Sequence, residues 1–206
     1  MHEHGERHFD IPPDQTFAGK SLLKHIVRIK QIIEVLGSQT ILDYGSGKGT
    51  LYQRADIKFP GSVSFSNVTE FWNLDSITCY DPAYQLFAAV PSGTFGGVVC
   101  TDVLEHCPED DIPWILAEIF SYAREFVYLN VACYPAKKSL PNGENAHCTI
   151  RAPEWWKALF EAQVGQCPGL RYYAAVDIIQ NGSLKELLFR GKCSLTVAAR
   201  DQRDVE

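Results

Sequence analysis

Between residues 17 and 37 apolar side chains recur at helical spacing (Leu22, Leu23, Ile26, Val27, Ile29, Ile32, Ile33, Leu36), and Gly37 stands where a helix C-cap belongs. The pattern predicts an amphipathic helix that leads into a first strand. Short apolar runs follow at 41–43, 77–81, 95–101 and 126–133 and read as strands. The last of these, FVYLNVAC, is continuously apolar apart from one Asn, which suits a central parallel strand buried on both faces. Helical periodicity returns over 112–123, behind Pro108 and the acids Glu109, Asp110 and Asp111, and again over 154–162 with Ala152 or Pro153 at the start. A brief helix is predicted over 51–56. Two final runs, 170–182 and 185–200, read as an antiparallel hairpin at one sheet edge.

Strands alternating with helices predict an α/β fold with a doubly wound, mostly parallel sheet and its ligand site at the carboxyl ends of the strands. Two segments depart from that plan. Residues 57–76 lack clean periodicity and exceed an ordinary connection, so they are expected to form an insertion on the surface or over the site. Residues 82–94 are too few for a helix plus a strand, so the third strand is expected to be reduced or missing. The chain of 206 residues reads as a single domain, 1–206, with a polar tail at 1–14 and a frayed end at 201–206.

The candidate chemistry starts at ILDYGSGKGT, residues 41–50, where a strand ends on Asp43 and runs into Gly45, Gly47 and Gly49. Such glycines allow positive φ and close approach, and a helix opening there would point free N–H groups at a ligand. The phosphate-loop pattern G-x-x-x-x-G-K-[ST] fails, since Gly49 follows Lys48 and Leu42 stands five before Gly47. The dinucleotide pattern G-x-G-x-x-G finds Thr50 where it needs glycine. An acidic-x-G-x-G-x-G pattern fits as it stands. Asp81, at the end of the second strand, is placed to accept from both ribose hydroxyls of an adenosine, or to cap the turn that follows.

Charge and cysteines narrow the setting. A net charge of -6 disfavours a protein that grips phosphate backbones, so a nucleic-acid partner is not expected. The seven scattered cysteines form no C-x-x-C pair and fit buried, reduced thiols. The polar amino terminus lacks the apolar core of a signal peptide, and no apolar run is long enough for a membrane helix, so the expectation is a soluble, cytoplasmic chain. His2, His4 and His8 read as part of a solvated tail.

DYGSGKG, CYDPA and FGGVVCTDVLEHCPEDD together resemble motif I, the following acidic motif and motif II of class I S-adenosylmethionine (SAM) methyltransferases, in the branch of the ubiquinone-biosynthesis O-methyltransferases. The resemblance covers about 41–156. It implies a Rossmann-like fold and SAM as cofactor, with Asp43, Gly45, Gly47, Gly49, Asp81, Thr101 and Asp102 at the cofactor and Glu105, His106 and His147 on the acceptor side. It further implies a turn at 15–21 over the methionine end, with Phe17 either part of that cover or an anchor in the core. The acceptor is expected to be a small molecule methylated at oxygen or nitrogen. Asp102 to His106 plus His147 is also similar to the metal-binding element of small-RNA 2′-O-methyltransferases. A divalent metal is therefore an open alternative, not the favoured one, as is a SAM- or nucleotide-binding module without activity. Trp155 and Trp156 point about 100° apart on a helix, so at most one can stack on an acceptor. Core packing suits both better. Lys137, Lys138 and Arg151 form a basic cluster that could meet an acidic substrate or simply be solvated.

Overall fold

A computed structural model describes residues 19–54, 57, 65–140 and 142–193. The turn at 15–18 with Phe17, the histidines of the tail, and the segments 1–14 and 201–206 lie outside the described residues. A single six-stranded sheet organises the rest, in the order β2-β1-β3-β4-β5-β6. Its strands are β1 (Thr40–Tyr44), β2 (Ser76–Tyr80), β3 (Phe95–Thr101), β4 (Ala123–Ala132), β5 (Arg171–Gln180) and β6 (Ser183–Lys192). The first five run parallel and β6 returns antiparallel to β5. The parallel order 2-1-3-4-5 reverses direction between β1 and β3, and in open α/β sheets such a switch point is where ligands sit. No strand lies between β2 and β3, so the expected reduction of the third strand holds.

Helices cover both faces, and two apolar clusters form. α3 (Ile112–Ser121) and α4 (Pro153–Val164) bury Ile115, Leu116, Ile119, Trp156 and Phe160 on one face. α1 (Ile26–Leu36) and α2 (Val68–Trp72) bury Ile29, Ile33, Val68 and Trp72 on the other. Gly37, at φ 72°, caps α1 as its position implied. The long predicted first helix is broken, however: Lys20–Lys24 form a 3-10 turn, and the α-helix begins only after His25.

The segment 57–76 corrects the sequence reading. Its described part holds α2, started by Asn67, whose side chain accepts from the Glu70 N–H at 3.0 Å. Trp72 is buried in the core and its Nε1–H donates to the Ile26 carbonyl at 2.8 Å. This stretch supplies the crossover helix between β1 and β2. The helix spans only five residues, too few to show a period in sequence. The helix predicted over 51–56 is likewise shorter, a single 3-10 turn at Thr50–Tyr52.

Candidate functional site

At the end of β1 the chain enters its glycine turn with φ 79° at Gly45, 56° at Gly47 and 57° at Gly49. A Cβ on Gly45 would lie 2.4 Å from Cγ2 of Val103. One on Gly49 would meet Cys79 Sγ at 2.9 Å and Phe87 at 3.0 Å. At these two positions the missing Cβ makes room for the protein's own packing, which ties the glycine turn to the loops after β2 and β3. The expected approach of a ligand is not what fills that space.

Asp81, almost fully buried, completes the tie. Its Oδ2 accepts from the Gly47 N–H at 2.8 Å and its Oδ1 from the Ala83 N–H at 2.9 Å. It therefore caps its own turn and braces the glycine turn together, and each oxygen keeps a second lone pair for a ligand hydroxyl. Asp43 lies beside it, buried, accepting from the Tyr52 hydroxyl at 2.7 Å. Burial pushes the Asp43 carboxyl up to about 7; the Tyr52 hydroxyl opposes this and the neighbouring Asp81 adds to it.

The raised Asp43 value carries a pH dependence. Between the unfolded value of 3.8 and about 7 the folded chain binds more protons than the unfolded one, so stability falls as pH rises through that window. Asp43→Asn, which keeps an acceptor for Tyr52, is expected to flatten the slope. Urea unfolding at a series of pH values from 4 to 8 reads this directly, and an unchanged slope refutes it.

Beyond β3 the backbone turns sharply. Thr101 is buried at the strand end beside Asn130, and Asp102 adopts φ 60°, the left-handed region that few non-glycine residues enter. Its N–H donates to the Asn130 carbonyl at 3.2 Å. The turn sends the Asp102 carboxylate out to meet two imidazoles. One ligand atom each from Asp102, His106 and His147 lie within 4.8 Å of one another. The two rings stand edge to face with centroids 4.7 Å apart.

Both imidazoles are oriented from behind. His106 Nδ1 lies 2.8 Å from the Ala146 carbonyl, and His147 Nδ1 lies 2.6 Å from the Tyr134 carbonyl. A carbonyl only accepts, so each Nδ1 carries the proton and each Nε2 presents a lone pair. Burial lowers the His106 pKa, with the Ala146 carbonyl and Asp102 opposing, which favours its neutral, electron-donating form. Asn145 braces the same loop: its Oδ1 accepts from the N–H groups of Ala136 and His147, both at 2.9 Å.

Glu105 has a different place from the one assigned by sequence. It is fully buried, its Oε1 accepts from the Ala132 N–H at 2.8 Å, and its carbonyl accepts from the Thr149 N–H at 3.0 Å. It fastens the loop after β3 to the end of β4 and to the segment carrying His147. Its Oε2 is buried without a hydrogen-bond partner, and burial together with Asp102 pushes its pKa up to about 8. The clustered trio takes Asp102, which the resemblance put at the cofactor and, in the metal alternative, with the two histidines, and leaves Glu105 out.

The remaining candidates divide. Trp156 is fully buried and Trp155 packs on the same core, as expected of both. Arg151 is paired with Glu109, at 2.7 Å from Nε, and so leaves the basic cluster with Lys137 and Lys138. Sequence reasoning passed over Tyr52, Asn130 and Asp177, all polar groups near the strand ends. Asn130, buried and donating to the Ala175 carbonyl at 2.9 Å, had a usable signal, a lone amide inside an apolar run.

One carboxylate and two imidazoles with free Nε2 atoms suit a divalent cation with open coordination positions. The same lone pairs suit proton abstraction. Among the described residues, no helix is long and apolar enough to cross a membrane. Comparison of the chain with models of protein families and with curated proteins gives no match.

Proposed function

We propose that this chain transfers the methyl group of SAM to an oxygen or nitrogen of a small-molecule acceptor. The observation that carries the reading is the arrangement at the β1/β3 switch point. A turn of three left-handed glycines is locked to the acid at the end of β2, and the Asp102, His106 and His147 cluster stands at the ends of β3 and β4. The motifs quoted above give that turn its resemblance to a SAM loop. When bound, SAM would supply a methyl group on a sulfonium, with breakage of the carbon–sulfur bond and S-adenosylhomocysteine as the leaving group. The chain's tasks are to align the acceptor and to receive its proton. Asp81 offers its spare lone pairs to ribose hydroxyls, and the Nε2 of His106 or His147 receives the proton.

A second reading rests on the orientation of the imidazoles. Asp102, His106 and His147 would hold a divalent cation. A cation there would supply Lewis acidity, lowering the pKa of a bound hydroxyl, which would fit an acceptor that is an alcohol, a ribose 2′-hydroxyl included.

Titration calorimetry with SAM, S-adenosylhomocysteine and NAD tests the main reading. Saturable heat with the first two and none with NAD is expected. Binding of NAD with no response to SAM overturns it.

A further inference from the structure

We propose that β6 is a two-fold interface, at which two copies of this chain pair edge to edge into one continuous sheet. Among the described residues β6 is the last strand of the sheet and has β5 on one side only. The two-residue turn Asn181-Gly182, with φ 53° and 71°, fixes the hairpin register and makes Gln180 and Ser183 its hydrogen-bonded closing pair. Alternate residues from there bond inward to β5. Leu184, Glu186, Leu188, Arg190 and Lys192 therefore turn their N–H and C=O groups to the open edge.

Those same five side chains lie on the α1 face, as the bond from Arg28 to Glu186 at 2.6 Å shows. The intervening Leu187 and Phe189 pack towards α4. On the α1 face the hairpin carries three largely exposed apolar side chains between its charged ones: Ile179 is 57% exposed, Leu184 54% and Leu188 58%. Isolated exposed leucines are ordinary, but a row of them along an unpaired edge is a pairing surface.

The strand is complementary to itself in a register that matches apolar and charged side chains together, whereas an axis through Phe189 keeps only a Glu186–Lys192 pair and sets Leu188 against Arg190. With the two-fold axis through Leu188, the outward-facing backbone groups of both copies meet. Leu188 then packs on Leu188 of the second copy, Glu186 lies opposite Arg190 of the second copy on both sides of the axis, and the Lys192 stem covers Leu184. Arg190 has no partner of its own among the described residues, whereas Glu186 already holds Arg28 and gains a second cation. On the opposite face the register sets Leu187 against Phe189. Shifting the axis to Leu187 keeps the faces but puts Glu186 against Leu188 and Lys185 against Phe189, which removes every complementary pair. The contact is isologous and closes at two copies.

Sedimentation velocity over a range of concentrations decides the matter. The wild-type chain is expected to sediment at twice its mass. Leu188→Lys, which sets two ammonium groups on the axis, is expected to run as a single chain with an unchanged far-ultraviolet spectrum, while Leu188→Ile stays paired. Arg190→Glu is expected to weaken pairing most at low salt. A wild-type chain that is single at every concentration, a Leu188→Lys variant that stays paired, or open-ended assemblies in place of a dimer each overturn the proposal. Insensitivity to Arg190→Glu overturns the register. None of these readouts depends on SAM.

Discussion

Gly45→Ala is expected to lower stability by roughly 2–5 kcal/mol, the sum of about 1–2 for a left-handed L-residue and about 1–3 for forced overpacking. The new methyl would stand 2.4 Å from Val103 Cγ2 in a backbone already fixed at φ 79°, with the Gly45 N–H bonded to the Tyr80 carbonyl at 2.7 Å. Neither side yields cheaply. Against a total of about 5–15 kcal/mol, such a loss lowers the thermal midpoint by many degrees, and under the proposed function SAM binding falls with it. Val103→Ala in the Gly45→Ala background removes the overpacking and leaves the backbone strain, so it is expected to recover part of the midpoint and not all. A Gly45→Ala protein as stable as wild type would show that Val103 yields the space and that the left-handed turn tolerates a side chain.

His147→Ala is expected to reduce methyl transfer by about 10²–10⁴-fold, the usual worth of a positioned acid–base group, with SAM affinity held within about twofold. Asp102→Gly sorts the two readings of the site. Glycine accepts φ 60° without strain, so the change deletes the carboxylate and leaves the turn intact. If the imidazoles act as bases, Asp102→Gly keeps much of the activity and chelators do nothing. If they hold a cation, Asp102→Gly, His106→Ala and His147→Ala each weaken Mn²⁺ binding by about 10–100-fold, and activity falls with it. Full turnover in His147→Ala with SAM bound eliminates both roles for His147, and full turnover in the His106→Ala, His147→Ala double variant eliminates both readings of the site.

How far the site was legible varies by residue. Asp43 near the end of β1 and the three glycines of the turn that follows lie within seven residues, where chain spacing is spatial arrangement, and Asp81 follows from the parallel pairing of β2 with β1. Asp102 has two places in the sequence reading, at the cofactor or with the histidines, and Glu105 stands there on the acceptor side with no sign of its burial against Ala132, because the loop after β3 is irregular. In a helix or strand a residue's direction follows from its number. In a turn that passes through φ 60° into a 3-10 segment it does not.

The sequence by itself determined the alternation of strands and helices, the shortened connection after β2, the glycine turn and the terminal hairpin. Each is written in local periodicity or in residues with special backbone needs. Only the tertiary structure decided that 68–72 is a buried crossover helix, that Val103 and Phe87 occupy the room left by two glycines, and that Asp102 joins His106 and His147 while Glu105 is drawn under them. Those outcomes depend on contacts between segments some 30 to 60 residues apart, where packing and hydrogen-bond satisfaction select among directions that local pattern leaves open.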